Sequence, residues 1–166
     1  MTDDDLKDLV IDNIHYDPMA GSFTWIKRRG SKAAGSDAGY VEAASGYHRI
    51  KIGPHKMAAH RIAWLLMMGD WPTEQVDHIN RNPTDNRWSN LRQATASQNS
   101  FNQKIAKNNK TGYKGVSICS STGKYRASIK VKGKTINLGS YHTAEEASDV
   151  YNIKSEEYFR EFSPTW

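Results

Sequence analysis

Apolar and polar residues along the chain change their spacing several times, and each change predicts an element. Leu6 to Ile14 carries apolar residues at helical spacing with acidic residues between them, which predicts a short surface helix. Phe23 to Ile26 and Tyr47 to Ile52 are rich in strand-forming residues, and the second stretch alternates apolar with basic side chains. Ala58 to Met68 repeats apolar residues at helical spacing, and Gly69 is typical of the residue that ends a helix.

The middle of the chain predicts a hairpin followed by a helix. Val76 to Asn80 is a short apolar frame that predicts a strand, and Leu91-Arg92 predicts its partner. The residues from Pro83 to Asn90 bond readily to their own backbone and therefore form a long turn. Thr95 and Gln98 fit a capping box, so Asn99 is expected in the first turn of a helix. The unit has the order ββα.

The last third predicts a three-stranded antiparallel sheet packed on one helix. Strands are expected over 113–119, 125–131 and 135–141, with glycines in the turns between them. A second capping box, Thr143 to Glu146, opens the helix. Alternation places apolar residues of the middle strand on one face and basic residues on the other. The helical residues expected to cover the apolar face are Ala147, Val150, Tyr151 and Tyr158.

Charge is distributed unevenly along the 166 residues, whose net charge is +5. Between Phe101 and Ser140 there are nine Lys or Arg and no acid, which favours a polyanion partner over a merely solvated basic face. The single Cys119 excludes an intramolecular disulfide and a Cys-based zinc site. No apolar run approaches bilayer length, so a soluble cytoplasmic protein without a membrane partner is expected.

Three residues of the ββα unit offer the parts of a phosphodiester hydrolase. Asp77 and Asn99 carry the oxygen ligands that hard divalent cations prefer, and His78 is a base with a pKa near neutrality. On a regular strand Asp77 and His78 point to opposite faces. A half-buried structural histidine with turn-shaping asparagines is the competing interpretation. His60 is interpreted as either a packed or capping histidine or a residue near the active site.

At these residues the sequence resembles the HNH nuclease family, in the branch of phage and intron-encoded homing endonucleases. The similar stretches are Val76 to Asn80, Asp85 to Arg92 and Thr95 to Asn99, preceded by His60-Arg61 and Gly69 to Pro72. The resemblance implies a ββα-metal nuclease domain that cuts DNA.

Each residue of this motif has a role that the resemblance implies. His78 is the general base, and Asp77 and Asn99 are metal ligands, with Asn102 as the alternative to Asn99. Asn90 holds the loop and orients His78. An Asn in place of the family's final His favours one magnesium or manganese ion, and no zinc is expected. Arg87 and Arg92 are expected to bind the flanking phosphates. The alternative is that both are only solvated charges.

Gly112 to Val116 and Tyr141 to Ala147 resemble the Apetala-type DNA-binding domain of plant ethylene-response factors, which phage HNH proteins often carry. That family reads the major groove with its sheet. Ser117 and Asn137 stand where Arg and Trp are usual, so base readout departs from the plant pattern. The resemblance implies DNA contacts from Ser117, Arg126, Ser128, Lys130, Thr135 and Asn137. Phosphates are expected to bind Lys124, Arg126, Lys130 and Lys132.

Residues and resemblances together predict an α+β protein in two domains. Residues 1–105 form the HNH nuclease domain with its ββα-metal core at about 74–105, residues 106–111 form a linker, and residues 112–166 form the DNA-binding domain. The predicted function is metal-dependent cleavage of double-stranded DNA by a monomer or a homodimer. The alternative is a DNA-binding regulator in which the nuclease fold has lost catalysis.

Overall fold

A computed structural model describes residues 2–103, 105 and 108–160 of the chain. The fold is a mixture of helices and small antiparallel sheets, as the α+β prediction requires. The helices are α1 (Asp3–Ile11), α2 (Ala59–Met68), α3 (Ala96–Asn102) and α4 (Ala144–Phe159). The strands are β1 (Ile14–Asp17), β2 (Ser22–Trp25), β3 (Tyr40–Val41), β4 (His48–Ile52), β5 (His55–Ala58), β6 (Gln75–His78), β7 (Leu91–Ala94), β8 (Val116–Ile118), β9 (Tyr125–Val131) and β10 (Lys134–Tyr141).

The chain divides into two compact units between Gln93 and Ala94. None of the helices in the described part combines the length and apolar character that crossing a membrane requires.

The first unit begins with α1 and the β1–β2 hairpin. The helix starts earlier than predicted because Thr2 caps it, with the Asp5 side chain completing a capping box. It also ends earlier, at Ile11, because Ile14 is a buried strand residue that pairs with Trp25. In the hairpin turn, Asp17 Oδ1 accepts the N–H groups of two following residues at 2.8 and 3.0 Å. Ordinary turn chemistry therefore fixes the hairpin.

A three-stranded sheet in the order β3-β4-β5 carries α2. Alternation in β4 was predicted correctly, since Ile50 and Ile52 are fully buried. The apolar face of α2 buries Ile62, Ala63 and Leu65, and the helix ends at Gly69, whose φ of 78° is left-handed. The predicted helix is thus confirmed to within one residue at its start.

The β6–β7 hairpin follows, and its connection is the loop of residues 79–90. The strand predicted over 76–80 runs instead from Gln75 to His78, because Asn80 belongs to the hydrogen-bonded loop. A single turn of 3-10 helix, Trp88–Asn90, leads into β7. Val76 and Leu91 join the main core of the first unit, so the hairpin is anchored from both of its strands.

The second unit contains α3 and the sheet β10-β9-β8 with α4 packed on it. The bounds of β9 and the capping box of α4 are as predicted. The first strand is shorter than predicted, 116–118 instead of 113–119. Tyr158 was predicted to cover the sheet but is 44% exposed, and Phe159 is buried in its place. Adjacent residues on a helix differ by about 100°, so only one of the two rings can face inward.

The linker predicted over 106–111 lies partly outside the described residues. In its described part Asn109 Oδ1 accepts the N–H groups of Thr111 and Gly112 at 2.9 and 2.8 Å, which makes an ordered turn. The compact units meet at Gln93–Ala94, which places α3 with the second unit. A domain is defined by its function as well as by its internal contacts. The predicted division into residues 1–105, 106–111 and 112–166 therefore stays a prediction.

Candidate active site

Strand β6 carries Asp77 and His78 in buried positions. Asp77 is 6% exposed and His78 is 4% exposed. As neighbours on a strand they reach different partners, which is the geometry that alternation demands. Asp77 Oδ2 accepts a hydrogen bond of 3.0 Å from Arg92 Nε on the neighbouring strand β7. His78 Nε2 lies 3.1 Å from Asn86 Oδ1 in the loop.

Burial keeps His78 neutral. Desolvation lowers its pKa from the ordinary histidine value, against opposing effects from the Asn86 hydrogen bond and the charges of Asp77 and Asp85. A histidine with a lowered pKa is unprotonated at neutral pH and can accept a proton. The site therefore supplies the form of the ring that general-base catalysis requires.

Two aromatic rings enclose the ring of His78. His60, at the start of α2, meets it edge to face with 5.1 Å between centroids, and Tyr47 lies 5.9 Å away. Nδ1 of His60 is buried and has no hydrogen-bond partner among the residues that the structure describes. Burial, followed by the effect of His78, lowers the pKa of His60 to about 3. The structure thus shows His60 packed and also beside His78, and its role in the site stays a prediction.

The loop of residues 79–90 is held by its own asparagines. Asn90 Nδ2 donates to the Asp85 carbonyl at 2.7 Å and to Asn80 Oδ1 at 3.0 Å, and Asn90 Oδ1 accepts the N–H of Asn80 at 3.0 Å. Asn90 thus holds the loop as expected. A hydrogen bond to the His78 ring is made by Asn86, and the orienting role of Asn90 stays a prediction. The sequence analysis missed Asn86, because nothing in a run of asparagines distinguishes the one that reaches His78.

Both arginines expected to contact phosphates form ion pairs. Arg87 binds Asp85 through two hydrogen bonds of 2.8 and 2.6 Å, and these hold the pKa of Asp85 well below its ordinary value. Arg92 is largely buried against Asp77. Neither arginine is therefore only a solvated charge, although the contacts they make with phosphates stay a prediction.

The second unit carries the other predicted metal ligand. Asn99 lies on α3 and is half-buried, whereas Asn102, its alternative, is 4% exposed. Within residues 2–103, 105 and 108–160, no three side chains of His, Cys, Asp or Glu are grouped as they would be around a metal ion. A metal here would have to draw on fewer carboxylates, completed by amide oxygens and water.

The predicted DNA contacts of the second unit lie on and beside one sheet face. Cross-strand pairing aligns Ser117 with Arg126, Ser128 with Asn137, and Lys130 with Thr135. These residues alternate with Ala127 and Ile129, which are buried on the opposite face. Ser128 is half-buried. Exposed are Ser117, Lys124, Arg126, Lys130, Lys132, Thr135 and Asn137.

Comparison with known proteins relates this geometry to a family. Residues 57–101, which include α2 and the β6–β7 hairpin, match the family model described as HNH endonuclease. Protein 3.8 of Escherichia phage T7 is 33% identical over 98 residues, covering 58% of this chain and 81% of that protein. The chain belongs to the HNH endonuclease family. The matched range includes Asp77, His78, Asn86 and Asn90.

An uncharacterized HNH endonuclease, L560 of Acanthamoeba polyphaga mimivirus, is 40% identical to this HNH endonuclease over 110 residues. The match covers 65% of the chain but only 56% of the mimivirus protein. No solved structure is significantly similar to the chain. The β1–β2 hairpin and the sheet β10-β9-β8 both lie outside the residues that match the family model.

Proposed function

We propose that this HNH endonuclease hydrolyses phosphodiester bonds of duplex DNA, with His78 as the general base and Asp77 as a metal ligand. The observation that carries the proposal is the buried Asp77–His78 pair, in which burial keeps the histidine neutral. A general base must accept a proton from the attacking water, and a neutral imidazole does so near physiological pH.

The donor atoms fit one magnesium or manganese ion. Asp77 offers a carboxylate, and an amide oxygen of Asn99, or of Asn102, is the second ligand in this proposal; both are hard oxygen donors. When bound, such an ion supplies positive charge to the phosphate and to the leaving oxygen. Arg92 fixes the Asp77 carboxylate through Oδ2, so the orientation of the ligand is set by the β6–β7 pairing.

The second unit is proposed to bind duplex DNA as an Apetala-type module. Three antiparallel strands on one helix, with an exposed polar and basic sheet face, support this role. Phosphates are proposed to bind Lys124, Arg126, Lys130 and Lys132, since lysine and arginine supply most of the affinity for a DNA backbone. Action of the homing type, as a monomer or homodimer in the cytoplasm of an infected cell, fits the phage and mimivirus relatives.

Cleavage of supercoiled DNA with magnesium, manganese or EDTA tests this function. We expect nicked or linear product with either metal, none with EDTA, and none with Asp77→Ala. Asp37→Ala, another acid of the first unit but one outside the motif, is the matched control and keeps wild-type activity. DNA that is bound but uncut with every metal would contradict the proposal and favour a regulator that has lost catalysis.

A further inference from the structure

The side chain of Asn86 reaches the ring of His78. The residue is 1% exposed, and its Oδ1 lies 3.1 Å from His78 Nε2. An amide has a donor end and an acceptor end, so the meaning of this contact depends on which end faces the ring.

The orientation of the Asn86 amide is determined by the carbonyl of Thr84. Asn86 Nδ2 donates to that carbonyl at 3.3 Å. A carbonyl oxygen only accepts, so the end of the amide that contacts it is the NH₂ group. The oxygen Oδ1 therefore faces His78, and Nε2 of His78 must be the protonated nitrogen that donates to it. In the neutral ring the lone pair then lies on Nδ1.

The β1–β2 hairpin holds the backbone of Asn86. The buried Tyr16 hydroxyl donates to the Asn86 carbonyl at 2.7 Å, and the N–H of Trp88 donates to the Pro18 carbonyl at 2.9 Å. Gly21, with φ of 69°, lies so close to the backbone of Asn86 that a Cβ there would be 2.6 Å from it. Three contacts from one hairpin thus converge on the short segment that includes Asn86.

We propose that Asn86 is a positioning residue for His78 and that the β1–β2 hairpin holds Asn86 in place. The hydrogen bond to Asn86 keeps the His78 proton on Nε2. Nδ1 of His78 is then the atom that takes the proton from the attacking water. The catalytic half of this inference rests on the proposed function, whereas the tautomer does not. The hairpin lies outside the residues that match the family model, so it adds a support for the base beyond the shared motif.

The tautomer can be measured directly by ¹⁵N NMR of the His78 side chain in the full chain, without metal and at a pH where histidine is neutral. Wild type is expected to show a protonated Nε2 and an unprotonated Nδ1. A protonated Nδ1 in wild type would overturn the proposal. This result needs no variant and no cleavage, so it is separate from a failure of the nuclease function.

Variants test the role in cleavage. Asn86→Leu keeps the volume but removes the acceptor, so the tautomers should mix, and kcat should fall by roughly 10- to 100-fold with little change in KM. Asn86→Asp keeps an oxygen acceptor and should retain the Nε2–H tautomer and most of the activity. Tyr16→Phe, which removes only one hydroxyl, should give a smaller loss in kcat.

Ile52→Ala is the control for general loss of stability, because Ile52 is fully buried in the same core and lies outside the loop. Equal losses of kcat in Asn86→Leu and Ile52→Ala would show that Asn86 acts only through stability. A wild-type tautomer distribution in Asn86→Leu would likewise overturn the proposal, even if the variant were inactive. An unfolded Asn86→Leu would leave the decision to the wild-type tautomer and to Asn86→Asp.

Discussion

His60 is held in an unusual environment at the edge of the candidate active site. Its Nδ1 is buried with no hydrogen-bond partner in the described part of the chain, and its ring lies against His78. Burial lowers the pKa of His60 to about 3. The unfolded chain binds a proton at His60 near pH 6.5, whereas the folded chain resists it. Its contribution to stability is therefore complete above about pH 6.5 and is lost as the pH falls toward 3.

Replacement of His60 by Phe should weaken this pH dependence. The aromatic ring is kept while the titrating nitrogen is removed. Between pH 7 and pH 5 the unfolding free energy of the variant should therefore fall by about 1–2 kcal/mol less than that of wild type. Urea unfolding at the two pH values measures the difference. His15→Phe, at an exposed position of β1, is the matched control for replacing a histidine with phenylalanine. Parallel curves for wild type and His60→Phe would contradict the account.

The sequence alone predicted a chemistry for Asp77 and His78 but not their surroundings. A motif fixes residue types and spacing, so it was sufficient to propose a base and a metal ligand. The contacts that tune His78 come from His60 and Asn86, which lie 18 residues before it and 8 residues after it. The sequence left two interpretations open for His60 and did not single out Asn86, because such contacts depend on tertiary packing.

At the scale of elements, the start of β8 depends on a glycine. The predicted strand began at Tyr113, but β8 begins at Val116, after Gly115 with its φ of 71°. A Cβ at Gly115 would overlap the ring of Tyr151 on α4. The backbone thus lies against the helix at this point, which a strand pattern in the sequence does not reveal.

Gly115→Ala should therefore destabilise the second unit by about 3 kcal/mol, since it combines backbone strain with overpacking. The matched control is Gly123→Ala. Gly123 has nearly the same φ, 69°, but open space around its Cβ position, so its replacement should cost only about 1 kcal/mol. Thermal unfolding of the two variants measures the difference. Equal losses would show that contact with Tyr151 contributes nothing.

Long periodic elements were the most predictable part of the fold. α2, β9 and α4 have enough residues to display a helical or alternating pattern, and capping boxes marked the starts of α3 and α4. The strands β3 and β5 were not predicted, since β3 has only two residues and the sequence of β5, His-Lys-Met-Ala, shows no clear alternation of apolar and polar side chains. Their pairing with β4 is a tertiary effect.

At the scale of the whole molecule, α3 packs into the core of the second unit, to which it belongs. Phe101 stacks on Phe159 with 4.8 Å between ring centroids and lies in one cluster with Tyr151. Lys114 Nζ donates to the carbonyls of Ser100 and Gln103 at 3.2 and 2.7 Å, which satisfies the end of α3. The helix proposed to carry a metal ligand therefore depends on the second unit for its packing.

Removal of residues 107–166 should abolish cleavage instead of only broadening its site preference. The truncation deletes Tyr151, Phe159 and Lys114, so α3 loses its core and its C-terminal contacts, and Asn99 is no longer held. The comparison is Arg126→Ala with Lys130→Ala, which removes charge from the sheet face while keeping the α3 core. That double variant should bind DNA more weakly but should still cleave it when the enzyme concentration is high enough to saturate the DNA. Efficient cutting by the truncated chain would contradict this dependence.

In the proposed function, His78 performs the chemistry while other residues bind the DNA. The most direct test compares wild type and His78→Ala for cleavage of supercoiled DNA with magnesium, alongside DNA affinity measured for both proteins. We expect the cleavage rate of the variant to fall by about 100-fold or more, because general-base catalysis is lost, with affinity nearly unchanged. Cleavage at the wild-type rate, or a loss of affinity that accounts for the loss of cutting, would contradict the role of His78.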